Sequence, residues 1–551
     1  MSLAAKLTCV ILFTALLIPV QAGVQQAYSG WMETAGGTAD DGTLYVGGDG
    51  AGNYTTIQAA VDAAGDGDTV YVYAGEYRET VQISAMLSLV GEDKTATVIN
   101  GSGNGDVVTV QADNVSISTF TVTGGGSDDH RSGIRISSDG NRIQNCVIRD
   151  NGRERYCYEQ GGIYLDESDG NRIVDTELCG NRETGVYLHH SSGNVFTGNH
   201  IHDNTGLAFV FNASTGNTIA GNSMHDNYCG MTFWPYSTGN TIVGNHVYSH
   251  PGCGMAFKVY SDGNIVRYNR LEDNLEWGVM LGPGPTMRNT VEYNSIRGST
   301  GGPADWYDGS GIVADTAFLN TLRYNNLADN NHDVWLENSL LNSWRGNHWA
   351  DHSGGVKVIQ GSLYWPWDPD IRVPWLYAAD WQPAATAYDL DEVTLAVMDT
   401  SHGAMVLALE HEKMPVTTEN FVRLAADAFF DGLVFHRVID DFVIQGGGYT
   451  ADGTRRESPY GPIELETHPE VLHVDGAISM ARTSDPDSAT SQFFICDGAQ
   501  PHLDGSYAAF GKIVGSMATL RSIASVDTTM KHGMQDWPVN EVVIHDVRIL
   551  E

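Results

Sequence analysis

SGNVFTGNHIHDN (residues 192–204) is followed 23 residues later by TGNTIAGNSMHDN (215–227), and 23 later again by TGNTIVGNHVYSH (238–250). Related copies begin at Asp139 (DGNRIQNCVIRDN), Asp169 (DGNRIVDTELCGN) and Asp262 (DGNIVRYNRLEDN). The Asn after Gly falls at Asn171, Asn194, Asn217 and Asn240, and weaker copies follow at Asn289, Asn320 and Asn342. Between copies lies a second short apolar run: GIRIS, GIYLD, GVYLH, LAFVF, GMTFW, GMAFK, GVMLG, GIVAD. A fixed period of this length marks a repeat architecture.

Each repeat offers about three strands with Asn or Gly at the corners. A single coil cannot bury its own apolar residues. Coils stacked in parallel at about 4.8 Å share one continuous core. Asn at a fixed corner predicts a ladder of side-chain amides, and it tolerates the left-handed backbone such corners need. A leucine-rich repeat has a similar length, but its Leu pattern is missing. The repeat resembles the CASH/NosD-like right-handed parallel β-helices, many of which bind or cleave carbohydrate. Upstream, the segment opening TLYVGGDG at Thr43 reads as a strand, a short helix over residues 57–64 and two strands. It is similar to the N-terminal opening of pectin-lyase-like β-helices, where a helix covers the first coil's strand edges and apolar core. At the other end, the Trp- and Pro-rich stretch 364–381 is expected to seal the last coil with its rings.

A different text begins near residue 392. FHRVIDDFVIQGGG (residues 435–448) sets Arg437 among Phe435, Val438, Ile439 and Phe442, with Gln445 closing a second apolar run. A buried Arg has a partner or a task. On this stretch alone, a core strand with one salt-bridged Arg is an equally good reading. SQFFICDGAQPHLDGSYAAFGKIV (residues 491–514) adds a strand with Gln492 and Phe494 on one face. With PVTTENFVRLA (415–425) and AISMAR (477–482), these motifs resemble the cyclophilin-type peptidyl-prolyl isomerases over a whole domain length.

The resemblance implies a mainly β chain, in which the right-handed parallel β-helix is followed by a closed β-barrel with two helices. It also implies an isomerase that acts on proline-containing polypeptides and needs no cofactor. Carried over position by position, it makes Arg437, Phe442 and Gln445 catalytic. It assigns Val443, Ala481, Arg482, Gln492, Phe494, His502, Leu503 and Tyr507 to substrate binding. Val443 stands where many members have Met and Arg482 where many eukaryotic members have Asn, and two positions depart from the best-known members, His502 for Trp and Tyr507 for His. The last two bear on cyclosporin sensitivity more than on catalysis.

These readings divide the chain into a signal peptide (1–22), a leader (23–40), the β-helix with its caps (41–381), a linker (382–391) and the isomerase domain (392–551). Lys6, the apolar run 7–20 and the small residues ending at Ala22 form the secretory signal. Export places the protein in a periplasm, outside the cell or on its surface. No later stretch is long and apolar enough for a membrane helix. The net charge of −38 argues against nucleic acid as partner, because phosphate binding needs basic patches. Cys229 and Cys253 occupy equivalent CGM triplets, so adjacent coils are expected to bring them within disulfide range, with Cys157 and Cys179 as a second pair. His202 and His225, beside Asp203 and Asp226, are also one repeat apart. They have the residue types of a metal site, but are read as an exposed polar ladder, so no metal is expected. The insertions carry Asp128, Asp129 and Glu159 and the group Asp305, Trp306, Tyr307 and Asp308. Carboxylates beside aromatic planes suit carbohydrate, bound or, with paired carboxylates, cleaved, and a plain scaffold is the alternative reading.

Overall fold

The computed structural model describes residues 42–550, except 51, 127–130, 153–160, 302–306, 308, 353 and 366–367; residues 364, 365 and 368–377 are described as backbone alone. The expected signal peptide and leader lie outside the described residues, as do Cys157, Asp128, Asp129, Glu159, Asp305, Trp306 and Asp308.

The repeats wind into a solenoid with three sheets of 13, 13 and 12 strands, parallel except for one terminal antiparallel pair. The register follows the residues that point inward. In one sheet the column runs Ile143, Ile173, Phe196, Ile219, Ile242, Val266, Val291 and Leu322. All eight are fully buried.

Asparagine ladders run at three corners, where the sequence suggests one. The expected ladder passes through Asn171, Asn194, Asn217 and Asn240, each side-chain amide donating to the next Oδ1 at 2.9–3.0 Å. A second runs from Asn199 to Asn222, Asn245 and Asn269. A third joins Asn151, Asn181, Asn204 and Asn227, then meets His250 in place of Asn. The left-handed residue is the one before each Asn: Gly193, Gly216 and Gly239 on the first ladder, Asp203 and Asp226 on the third. The Asn itself is needed for its amide, which donates and accepts along the stack, and not for its backbone freedom.

At the N-terminal end, helix α1 (Ile57–Ala63) buries Ile57, Ala60 and Val61 on the first coil. Its first amides are satisfied by the Thr56 side chain and by Glu79, which accepts from Ile57 and Gln58 at 2.9 Å. Of the rings expected to seal the C-terminal end, those of residues 364–377 lie outside the described side chains. Trp381 is 74% exposed, and the rings that fill the last coil are Trp344 and Trp349. The buried Asp380 accepts from the Gly346 and Asn347 amides at 2.9 and 2.8 Å. A carboxylate has no proton to pass on, so it terminates the second ladder.

The second domain is an eight-stranded antiparallel sheet. In chain order its strands are β1 (Thr394–Thr400), β2 (Gly403–Leu409), β3 (Arg437–Ile439), β4 (Val443–Gly446), β5 (Ala477–Met480), β6 (Phe493–Cys496), β7 (Ala509–Gly515) and β8 (Ile544–Ile549). They are ordered β3-β4-β6-β5-β7-β2-β1-β8. The two edges are drawn together by the bridge between Val434 and Val543, so closure of the barrel rests on a few hydrogen bonds rather than a full ladder. Helices α2 (Pro415–Ala426) and α3 (Met517–Ala524) bury Phe421, Leu424, Leu520 and Ile523 against its core.

The two domains are docked. Strands β1 and β2 read as continuous apolar runs because both faces are covered. Met398, Met405 and Leu407 face the barrel core, while Val397, Val406 and Ala408 pack on Val195, Ala220 and Val243 of the solenoid. A glycine column permits this approach. A Cβ on Gly221 would lie 2.7 Å from Leu550, and one on Gly244 2.7 Å from Leu395. Arg172 and Asp399, both buried, form an ion pair in which Nη2 lies 3.0 Å from Oδ1. The linker is pinned too: Tyr388 exchanges hydrogen bonds of 2.8 Å with the Asn326 side chain and packs on Tyr293 and Tyr324.

Candidate functional site

Strand alternation sorts the second domain's residues into core and cleft. Ile444, Phe493 and Ile495 face the barrel interior. Val443, Phe494 and Cys496 face the other way and pack with Phe442, Ala481, Leu503 and Tyr507 in one apolar cluster. Cross-strand register sets Arg437 opposite Gln445, and Gln445 opposite Phe494. The Gln445 amide donates to Gln492 Oε1 at 3.1 Å. His502 stacks on Phe442 with centroids 6.0 Å apart. Arg482 lies 4.5 Å over the Tyr507 ring and donates to the Ser506 carbonyl at 2.7 Å. All eleven positions singled out in the sequence therefore meet on one surface.

Arg437 is less enclosed than its apolar neighbours in sequence suggest, with its side chain 39% exposed. Its guanidinium sits 5.8 Å from the Phe442 ring centroid. Its nearest carboxylate among the described residues is Asp536, 3.9 Å from Nε, which is too long for a hydrogen bond. Arg437, Gln445 and Gln492 line a cleft of about 450 Å³ together with His436, Tyr449, Met534, Gln535 and Asp536.

The last five escaped the sequence reading. Three of them stand on a hairpin, Thr528–Lys531 paired with Met534–Pro538, whose turn residues His532 and Gly533 both have positive φ. A His-Gly pair between two short strands was the available signal. Burial pushes the His436 imidazole down to about 4, and the Arg437 charge beside it acts in the same direction. His436 is thus neutral near pH 7. Beneath the cleft, His473 stacks on Phe494 and is held by Asp504 at 2.8 Å and Ser479 at 3.0 Å.

The other candidates fare unevenly. Cys229 and Cys253 are neighbours on adjacent coils as expected, yet both are free thiols. The Cys253 amide donates to Cys229 Sγ at 3.0 Å. Of the four residues 305–308 expected to suit carbohydrate, Tyr307 is described. Its hydroxyl donates to Asp315 at 3.0 Å, and its ring packs between Trp277 and Trp335.

Comparisons with known proteins match two separate parts of the chain. The family model "Cyclophilin type peptidyl-prolyl cis-trans isomerase/CLD" matches residues 395–549. "Right handed beta helix region" matches residues 94–245 and 161–314. Peptidyl-prolyl cis-trans isomerase A of Dickeya dadantii is 38% identical over 163 residues, covering 29% of this chain and 85% of that protein. Peptidyl-prolyl cis-trans isomerase cyp18 of Streptomyces antibioticus is 38% identical over 161 residues, covering 28% of this chain and 96% of that protein. A solved cyclophilin type peptidyl-prolyl cis-trans isomerase of Cryptosporidium parvum is 30% identical, covers 29% of this chain and 98% of its own, and has a TM-score of 0.27.

Proposed function

Since the chain belongs, through residues 395–549, to the cyclophilin-type peptidyl-prolyl cis-trans isomerases, we propose that it is an exported isomerase that assists the folding of secreted proteins and is held in place by its β-helix. One observation carries the catalytic part: a cation and two amides, Arg437, Gln445 and Gln492, edge an apolar pocket on the same face of the sheet.

That arrangement suits the chemistry. Rotation about a prolyl amide faces a barrier of about 18–20 kcal/mol because the C–N bond is partly double. No acid, base or nucleophile is required. Phe442, Val443, Phe494 and Leu503 grip the proline ring. Gln445 and Gln492, already hydrogen-bonded to each other, align the flanking backbone. In the twisted state the prolyl nitrogen regains its lone pair, and the Arg437 guanidinium donates to it. Export rests on the N-terminal stretch and fits an activity that consumes no ATP.

Exchange NMR on an Ala-Pro peptide with the full chain tests this reading. Cis and trans resonances are expected to broaden and coalesce at catalytic protein concentrations. Exchange at the uncatalysed rate would overturn it. A second reading gives the β-helix the leading role, as a surface or carbohydrate-binding module with an accessory isomerase. The Trp277–Tyr307–Trp335 group favours it, since flat rings suit sugar faces. A glycan array, paired with a reducing-end release assay, separates binding from cleavage and from scaffold alone.

A further inference from the structure

Among the described residues, one group of potential ligand atoms outside the isomerase cleft lies on a solenoid sheet. Four adjacent strands there read Glu177-Leu178-Cys179, His200-Ile201-His202, Ser223-Met224-His225 and His246-Val247-Tyr248. The middle residue of each is fully buried in the core, so the flanking pair faces outward. Register stacks Glu177 under His200 and Cys179 under His202, with His225 next in the same column. The first two strands thus form a grid of carboxylate, thiol and two imidazoles.

The distances within this grid are those of a coordination sphere. His202 Nε2 lies 3.3 Å from Glu177 Oε1, and Cys179 Sγ lies 3.6 Å from the same oxygen. All three ligand atoms are within 4.8 Å of one another. Bonds of about 2.0–2.3 Å to a tetrahedral ion put its ligand atoms about 3.3–3.8 Å apart.

Hydrogen bonding fixes which nitrogens are available. His202 Nδ1 lies 2.7 Å from Asp203, and His225 Nδ1 lies 2.8 Å from Asp226. A carboxylate accepts, so both Nδ1 atoms carry a proton and Nε2 is the nitrogen each ring has left for a ligand. His202 Nε2 then faces a carboxylate oxygen, and His225 Nε2 faces His200 Nε2 at 2.7 Å. His202 Nε2 and the Glu177 oxygen, 3.3 Å apart, need a proton or a cation between them. The aspartates sit at the left-handed corner before each ladder Asn, where the fold aims them at the imidazoles. A carboxylate behind each imidazole is the usual outer shell of a metal-bound histidine. The sequence pairing of His202 and His225 with Asp203 and Asp226 therefore named one ligand and its orienting group. The other ligands come from the preceding coil.

We propose that Glu177 Oε1, Cys179 Sγ and His202 Nε2 bind one divalent transition-metal ion of the Zn2+ type, with a fourth position open toward His200 and His225. A mixed oxygen, sulfur and nitrogen set excludes Mg2+ and Ca2+ as the preferred ion. On binding, the Cys179 thiol and the ion form a metal–sulfur bond and release one proton to solvent.

The test uses the full chain without a polyhistidine tag, stripped with chelator and titrated with Co2+ and Zn2+. One ion per chain is expected, with the thiolate-to-cobalt charge-transfer band of a tetrahedral site, displaced by Zn2+. Cys179→Ser is expected to abolish that band, and His202→Gln to weaken Zn2+ affinity at least tenfold. Asp203→Asn is expected to cost about 10–100-fold by freeing the ring. His246→Gln serves as the control and is expected to bind like the parent. Circular dichroism and thermal melts establish that each variant is folded. No stoichiometric binding, or binding without a charge-transfer band that survives Cys179→Ser, overturns the proposal. Prolyl isomerisation is read in parallel and is expected to be the same with and without metal.

Discussion

Replacing Arg437 by Ala separates what the guanidinium does in the folded protein from what it does in the transition state. The structure gives the folded-state cost first. Its one ion-pair partner among the described residues, Asp536, is 3.9 Å away, and both side chains are about 40% exposed. A pair that long and that wet contributes about 0–1 kcal/mol. The variant should therefore fold and melt close to the parent. The catalytic cost is larger. A charge-assisted hydrogen bond made only to the pyramidal prolyl nitrogen is worth about 2–4 kcal/mol. That is roughly a thirty- to thousand-fold loss in kcat/KM. Peptide affinity should change little, because the pocket of Phe442, Val443, Phe494 and Leu503 is intact. Arg437→Lys should recover little, since an ammonium lacks the planar fork. Exchange NMR gives the rate and calorimetry the affinity. A folded Arg437→Ala protein that isomerises at the parent rate refutes the site assignment. A proportional loss of affinity and rate refutes the transition-state argument.

Three further outcomes are expected. Asp399→Ala strands the buried Arg172 guanidinium and should cost about 3–5 kcal/mol; calorimetry and hydrogen exchange on β1 and on the facing solenoid strands would show the loss, and unchanged exchange would mean the domains are not docked. Burial pushes the His250 imidazole down to about 4, below its unfolded value near 6.5. The unfolded chain therefore takes up the proton first, and this contribution to stability, full above pH 6.5, is lost as pH falls toward 4 at about 1.4 kcal/mol per pH unit. His250→Asn restores the ladder residue and should remove that slope from the difference between the two melting curves, while parallel curves would count against it. Cyclosporin should bind weakly, and His502→Trp should tighten it by enlarging the ring stacked on Phe442; calorimetry giving the parent an affinity equal to that of a Trp-containing cyclophilin would contradict this.

The repeats carried most of the fold, because a coil that cannot stand alone must repeat its apolar and corner residues in step. The conformational detail was misplaced by one residue. Glycine precedes Asn so regularly that either could hold the left-handed position, and the backbone assigns it to the residue before Asn, including Asp203 and Asp226. The cleft residues were legible since they cluster in two motifs. Asp536 was not, because it arrives on a hairpin about a hundred residues after Arg437 with no motif of its own. Docking was equally hidden. Gly221 and Gly244 look like ordinary repeat glycines, and their second use appears when Leu550 and Leu395 come to rest on them. The grid of Glu177, Cys179, His200 and His202 could have been drawn from the 23-residue period alone. Comparing histidines with histidines concealed it.

The docked linker has a kinetic meaning. A catalytic domain on a flexible tether searches the volume its tether allows, and its local concentration falls with tether length. Here Tyr388, Arg172 and the glycine column remove that freedom. In the sheet, β4 and β6 are separated from the docking strands β1 and β2 by β5 and β7. The cleft is therefore carried at a constant bearing to the long axis of the coils. A polypeptide that touched both the coils and the cleft would meet them at a fixed separation.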